Sequence, residues 1–214
     1  LVAKFIDKPA IPAINTDLFP DMNWDKLQVS NDKGFYDFNE DGIPDLISYR
    51  SLANKSILPA IFEIKDYTGK ISFTPKNGTL LAYGSSERRI ADIDALIEEL
   101  HSKNIYVIGR VAVFQDPHMT KTHPEYAVKT ASNKNLVWKD DKGISWLDAG
   151  AEDVWEYSAL IGEEGYSRGF DEINYDYIRF PSDGNMKDIF YPISGNKKKS
   201  DVMRSFYEYL HNEL

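Results

Sequence analysis

The chain has 214 residues, 42% hydrophobic and 13% aromatic, with a formal net charge of −9 and no cysteine. The acidic balance argues against a nucleic-acid partner, which needs a basic face, and the lack of cysteine excludes disulfides, thiolate metal sites and cysteine nucleophiles. No apolar run approaches a membrane span, so a soluble globular chain is expected, either one domain or a large part of one.

Residues 1–32 read as a linker or an N-terminal wrap, because Pro9, Pro12 and Pro20 interrupt any helix. Leu1 is not an initiator Met, which leaves room for an upstream signal or anchor. A short strand is expected at 34–36 and a helix at about 44–57, with Pro44 in its first turn. Residues 60–66 form a buried-looking strand closed by Tyr67-Thr68-Gly69. Ser85 or Ser86 is the expected cap of a helix in which Ile90, Ile93, Ile97 and Leu100 recur at helical spacing.

The run from Ile105 to Phe114 is almost continuously apolar, as in a parallel strand covered on both faces. A loop follows, turning near Asp140-Asp141-Lys142-Gly143, and a helix starting near Asp148 uses Val154, Tyr157 and Ile161. The next strand is expected at 170–178, then a loop at 194–199 and a last helix with Val202, Phe206, Tyr209 and Leu210. Alternating strands and helices indicate parallel α/β architecture. Four strands fall short of the eight in a (β/α)8 TIM barrel, and the helical pattern still runs at Leu214. The expectation is therefore the N-terminal half of a barrel over 33–214, with more of the polypeptide beyond Leu214; the alternative is a complete open four-stranded sheet.

Residues 169–181 read Gly-Phe-Asp-Glu-Ile-Asn-Tyr-Asp-Tyr-Ile-Arg-Phe-Pro. Strand alternation puts Glu172, Asn174, Asp176 and Ile178 on one face and Asp171, Ile173, Tyr175 and Tyr177 on the other. Buried carboxylates are costly without partners, so this row implies a polar interior, either functional or a structural hydrogen-bond ladder. Asp176 lies nearest the C-terminal rim, where barrels hold their chemistry.

This segment resembles the signature of a bacterial family of glycoside-hydrolase-like (β/α) barrels, distantly related to α-amylase-type enzymes. The resemblance extends to Phe62–Gly69, Tyr106–Pro117 and Trp146–Tyr157, and covers about 33–214. Glu63 stands where that family has Asp, and Ala149 where it has Pro. The resemblance implies a secreted or cell-surface glycosidase acting on a carbohydrate, with no cofactor required.

Glycosidases place two carboxyl groups about 5–5.5 Å apart for retention or about 6.5–9.5 Å apart for inversion. Glu172 and Asp176 are roughly 13 Å apart along a strand, so no pair within it suffices. Asp176 is the expected nucleophile or base, with Glu172, Arg179 and Glu63 as further catalytic candidates. Its partner is Glu63, Asp66, Asp116 or a carboxylate beyond Leu214, and the likeness to amylase-type barrels favours the last. Arg110 and Arg179 could each hold a carboxylate ionised. Asp171, Asn174, Lys65, Asp66, Arg110 and Asp116 are candidate substrate contacts, and Trp138 and Trp146 are expected as sugar-stacking platforms.

Asp37, Asn39, Asp41, Ile43 and Asp45 supply oxygens at the spacing that opens a calcium loop, with Gly42 at its turn. Ser48 stands where the bidentate Glu belongs, so the loop is either a structural calcium site or an acidic cap for the next helix. Two further functions compete with hydrolysis: carbohydrate binding without cleavage, and a calcium-clamped structural or adhesion module.

Overall fold

The computed structural model describes residues 2–4 and 58–214. The strand expected at 34–36, the helix at 44–57 and the Asp37–Asp45 loop lie outside the described residues. In chain order the elements are β1 (Val2–Lys4), β2 (Leu58–Lys65), α1 (Gly78–Ala82), α2 (Ile93–Ser102), β3 (Ile105–Ala112) and α3 (Pro117–Thr122). They continue with β4 (Lys129–Thr130), α4 (Glu152–Arg168), β5 (Glu172–Asp176), β6 (Ile189–Phe190) and α5 (Lys199–Glu213).

Strands β2, β3 and β5 are parallel and adjacent in sequence order. Strand β1 pairs antiparallel with the free edge of β5, which corrects the expectation of parallel neighbours only: the sheet is mixed, and among the described residues it is open. The crossovers β2–α2–β3 and β3–α4–β5 both return on the same side, since α2 and α4 touch each other as well as the sheet. A Cβ added to Gly165 of α4 would stand 2.7 Å from Ile173 and 2.9 Å from Ile64, so the helix lies directly on these two side chains. Tyr175 reaches further along α4, its hydroxyl donating to the Ser158 carbonyl at 3.1 Å. Burying each such apolar side chain contributes about 1.5–3 kcal/mol.

The other face carries Glu63, Arg110 and Asn174 side by side in register, with Asp176 one step closer to the rim, opposite Ala112. The burial of β5 alternates accordingly, Ile173 and Tyr175 being buried and Glu172, Asn174 and Asp176 only partly so. A bulge between Glu63 and Lys65 breaks the alternation of β2. The extra residue turns Lys65 away from Glu63's face. Its ammonium lies 5.8 Å from the ring centre of Tyr157 on α4.

Local chemistry moved several boundaries. Helix α2 begins after Asp92, whose side chain accepts the Ala95 N–H at 3.0 Å, and not after Ser85 or Ser86. The Ser85 carbonyl instead accepts the Ile71 N–H, and the Glu87 N–H returns to the Ile71 carbonyl, which keeps 85–87 extended. Asp116-Pro117 starts the short α3, with Asp116 accepting the Met119 N–H and Pro in the first turn. Helix α4 closes on Gly169, whose φ of 107° lies in the left-handed region that favours glycine.

Candidate functional site

At the C-terminal ends of β2, β3 and β5, one guanidinium joins two carboxyl groups. Arg110 donates through Nη1 to Oε1 of Glu63, and through Nε (3.1 Å) and Nη2 (2.6 Å) to Oδ2 of Asp176. The other Asp176 oxygen accepts the Tyr177 N–H at 2.6 Å. Tyr177 has a φ of 54°, an uncommon left-handed conformation for an aromatic residue, which ends the strand right after Asp176. Its ring stands 5.6 Å from the Arg110 guanidinium.

The environment separates the two carboxyl groups. Burial raises the Glu63 pKa above its ordinary value, and Arg110 offsets that only in part. Oε2 of Glu63 is buried and has no hydrogen-bond partner among the described residues. For Asp176 burial also acts upward, but the hydrogen bonds from Arg110 and the Tyr177 N–H outweigh it, so its pKa is lowered. Burial opposes the Arg110 cation too, yet its bonds to Asp176 and Glu63 raise its pKa further. The arrangement holds one carboxylate ionised beside another biased towards its acid form.

The remaining sequence candidates disperse. Glu172 sits at the opposite end of β5, with the Tyr106 hydroxyl 3.3 Å from its Oε2, and is not brought to Asp176. Asn174 stays on the shared face, opposite Arg110. Asp171, expected as a substrate contact, is a buried group below the strand, bonded to the Val107 N–H and His101, each at 2.8 Å. Lys65 and Asp116 form a fully buried ion pair at 2.7 Å and touch no open surface. A Cβ on Gly69 would collide with the Asp116 carboxylate, so the turn there packs directly on this pair. Asp66 organises the same turn through Thr68 and Lys70 and pairs with Arg89 at 2.6 Å, which removes it as a partner for Asp176.

Arg179 does not hold Asp176; its guanidinium lies 4.8 Å from the Trp146 ring centre and its Nη1 bonds Ser182 at 2.7 Å. Trp138 and Trp146, the expected sugar platforms, are 2% and 0% exposed, with their indole N–H groups donated to the Asn185 carbonyl and to Asp140. Loop indoles need not face solvent when a partner for the N–H is folded in beside them.

Sequence reasoning missed Asp148 as an organiser. It is fully buried and accepts the Gly150, Ile193 and Ser194 N–H groups and the Ser194 hydroxyl, tying the segment before α4 to the loop before α5. No short-range pattern signals a bond across that separation. Among the described residues, no group of three or more His, Asp or Glu is arranged to hold a metal, and no helix is long and apolar enough to cross a membrane.

A family profile described as "Putative glycosyl hydrolase domain" matches residues 46–214. The crystal structure of a hypothetical protein from Ruminiclostridium thermocellum ATCC 27405 is similar, with a TM-score of 0.67 and 32% identity over 77% of this chain and 83% of that one. An α-L-fucosidase isoenzyme 2 from Paenibacillus thiaminolyticus (TM-score 0.49, 12% identity) matches over 72% of this chain and 24% of its own. A GH31 α-xylosidase from a soil metagenome, complexed with xylose (TM-score 0.48, 12% identity), matches over 77% and 24%. These two likenesses are too low to carry substrate or mechanism. Comparison with curated proteins gives no match. With most of its length inside the profile, the chain belongs to the "Putative glycosyl hydrolase domain" family.

Proposed function

We propose that this protein hydrolyses a glycosidic bond in a polysaccharide, with Asp176 as nucleophile or base and Glu63 as the second carboxyl group. The observation that carries this reading is the sharing of Arg110 by two carboxyl groups whose pKa values are pushed in opposite directions. Such a split is how one site holds an acid and a base together. Two carboxyl groups on opposite edges of one guanidinium lie on the order of 5–7 Å apart, within the overall range that glycosidases use. Asp66 and Asp116 are committed to Arg89 and Lys65, which leaves Glu63 as the candidate on these strands.

In this reading Arg110 keeps Asp176 ionised and ready to attack an anomeric carbon or to activate water. The buried Oε2 of Glu63 is where an acidic proton would reside. One-sided winding of the helices supports a (β/α)-barrel-like arrangement with this face inward, and any further strand beside β5 would have to take the edge that β1 occupies here. The burial of Trp138 and Trp146 removes the observation that favoured a binding module without catalysis.

The test is turnover of a polysaccharide panel by the intact protein and its Asp176→Asn and Glu63→Gln variants. Asp176→Asn should fold and lose several powers of ten in rate. Wild-type activity in Asp176→Asn would overturn the reading, whereas full activity in Glu63→Gln alone would move the acid to another strand. Secretion or surface display belongs to the same proposal, as does a calcium ion at Asp37, Asn39, Asp41, Ile43 and Asp45. Calorimetry of metal-stripped protein should show calcium binding; no heat at millimolar calcium would make that loop a helix cap.

A further inference from the structure

Arg179 stands three residues beyond Asp176 and lines the same depression, of about 400 Å³, together with Tyr177 and Tyr207. Its guanidinium stacks 4.8 Å from the Trp146 ring centre and 5.9 Å from that of Tyr177. Nη1 is tethered to the Ser182 hydroxyl at 2.7 Å and the Phe180 carbonyl at 3.5 Å. The edge formed by Nε and Nη2 has no hydrogen-bond partner among the described residues.

The other arginines among the described residues behave differently. Arg89, Arg110, Arg168 and Arg204 each face a carboxylate. Arg88 faces none, but it is exposed and spent on the Ala91 carbonyl. Among the described residues, Arg179 alone combines partial burial, aromatic stacking and an open two-nitrogen edge beside the candidate nucleophile. Stacking fixes the plane of a guanidinium without consuming its N–H groups, and the Nε/Nη2 edge matches two oxygens of a planar or tetrahedral anion.

We propose that Arg179 is an anion-reading residue of the substrate site, and that the polysaccharide carries a carboxylate or sulfate on the sugar bound next to Asp176. The proposal rests on the glycosidase reading for the identity of the polymer, and on Arg179's own contacts for the charge. The chain's net charge of −9 disfavours diffuse attraction of a polyanion. Recognition is therefore local: one substituent, one guanidinium.

Calorimetry on the intact protein in the Asp176→Asn background separates binding from turnover. The probes are an oligogalacturonate, a sulfated galacto-oligosaccharide and an uncharged malto-oligosaccharide. An acidic probe should bind more tightly than the uncharged one, with the carboxylated and sulfated arms identifying the anion. Arg179→Gln should weaken the acidic probe about 10- to 100-fold, and Arg179→Lys should recover only part of that, because the fork is lost. Ser182→Ala, which removes the tether and leaves the charge, should cost less than Arg179→Gln and gives a reading should that variant fail to fold. Equal affinity for all three probes, or an acidic probe unaffected by both Arg179→Gln and Ser182→Ala, overturns the proposal. If Asp176→Asn retains turnover while charge selectivity still depends on Arg179, the catalytic assignment fails and this one stands.

Discussion

Glu63 and Lys65 lie two residues apart on β2, yet the bulge between them sends their charged groups into opposite surroundings. Lys65 enters the helix-covered side and meets Asp116 in a pair with no exposed surface on either side chain. Glu63 stays on the other face, about a quarter exposed, and shares Arg110 with Asp176. The first arrangement balances one cation with one anion and adds hydrogen bonds from the Lys65 ammonium to the Val113 carbonyl and from the Met119 N–H to Asp116. The second places one cation between two anions and leaves Oε2 of Glu63 without a partner among the described residues. Charge that is matched and dry belongs to the scaffold; charge that is unmatched and reachable can act on a ligand.

The sharpest way to break this contrast is a pair of aspartate-to-asparagine changes. Asp176→Asn is expected to abolish turnover, by several powers of ten, with little change in unfolding midpoint. Asp116→Asn should do the reverse at the level of the fold, because it strands a buried ammonium. Breaking such a pair typically costs about 3–5 kcal/mol, measurable by denaturant unfolding. Replacing both partners, as in Lys65→Met with Asp116→Leu, should restore much of that loss. A double variant as unstable as Asp116→Asn would show that the pair itself, and not the stranded charge, holds the turn at Gly69 against α3.

Much of the architecture was legible because it is local. The apolar run of β3, the helical spacing of Ile93 and Ile97, and the Val202–Phe206–Leu210 stripe of α5 each encode their own burial. The faces of β5 followed from strand alternation alone. What escaped depends on contacts between distant segments. The bulge after Glu63 has no glycine or proline to mark it, so Lys65 and Glu63 read as equivalent polar positions. Asp116 and Asp66 look as available as Glu63 until Lys65 and Arg89 are found on them. The indoles of Trp138 and Trp146 were placed in the right loop, but their partners, Asn185 and Asp140, come from a distant loop and a neighbouring turn. The antiparallel β1 lay in a segment whose prolines spoke only against a helix.

A smaller effect tests the division of labour at Arg110 directly. If Glu63 is the acid and Asp176 the base, kcat/KM should be bell-shaped in pH. Its acid limb should fall below the usual carboxylate range, because Asp176 is lowered, and its alkaline limb should fall above that range, because Glu63 is raised. Stability carries the same signature with opposite signs. A carboxyl group with a lowered folded-state pKa stabilises above its unfolded value of about 3.9, and that contribution is lost as pH falls through the folded pKa. A raised carboxyl stabilises below its unfolded value, and its contribution is lost as pH rises through the folded pKa. Asp176→Asn should therefore flatten the loss of melting temperature in acid, while Glu63→Gln should flatten the decline on the neutral side. Both changes should be small, since the groups are partly exposed and screened by solvent. Melting curves of the two variants and the wild type over about pH 3–7 read this out. If both substitutions tilt the profile in the same direction, Arg110 does not divide the two carboxyl groups, and the pair is one more ion bridge like that of Lys65 and Asp116.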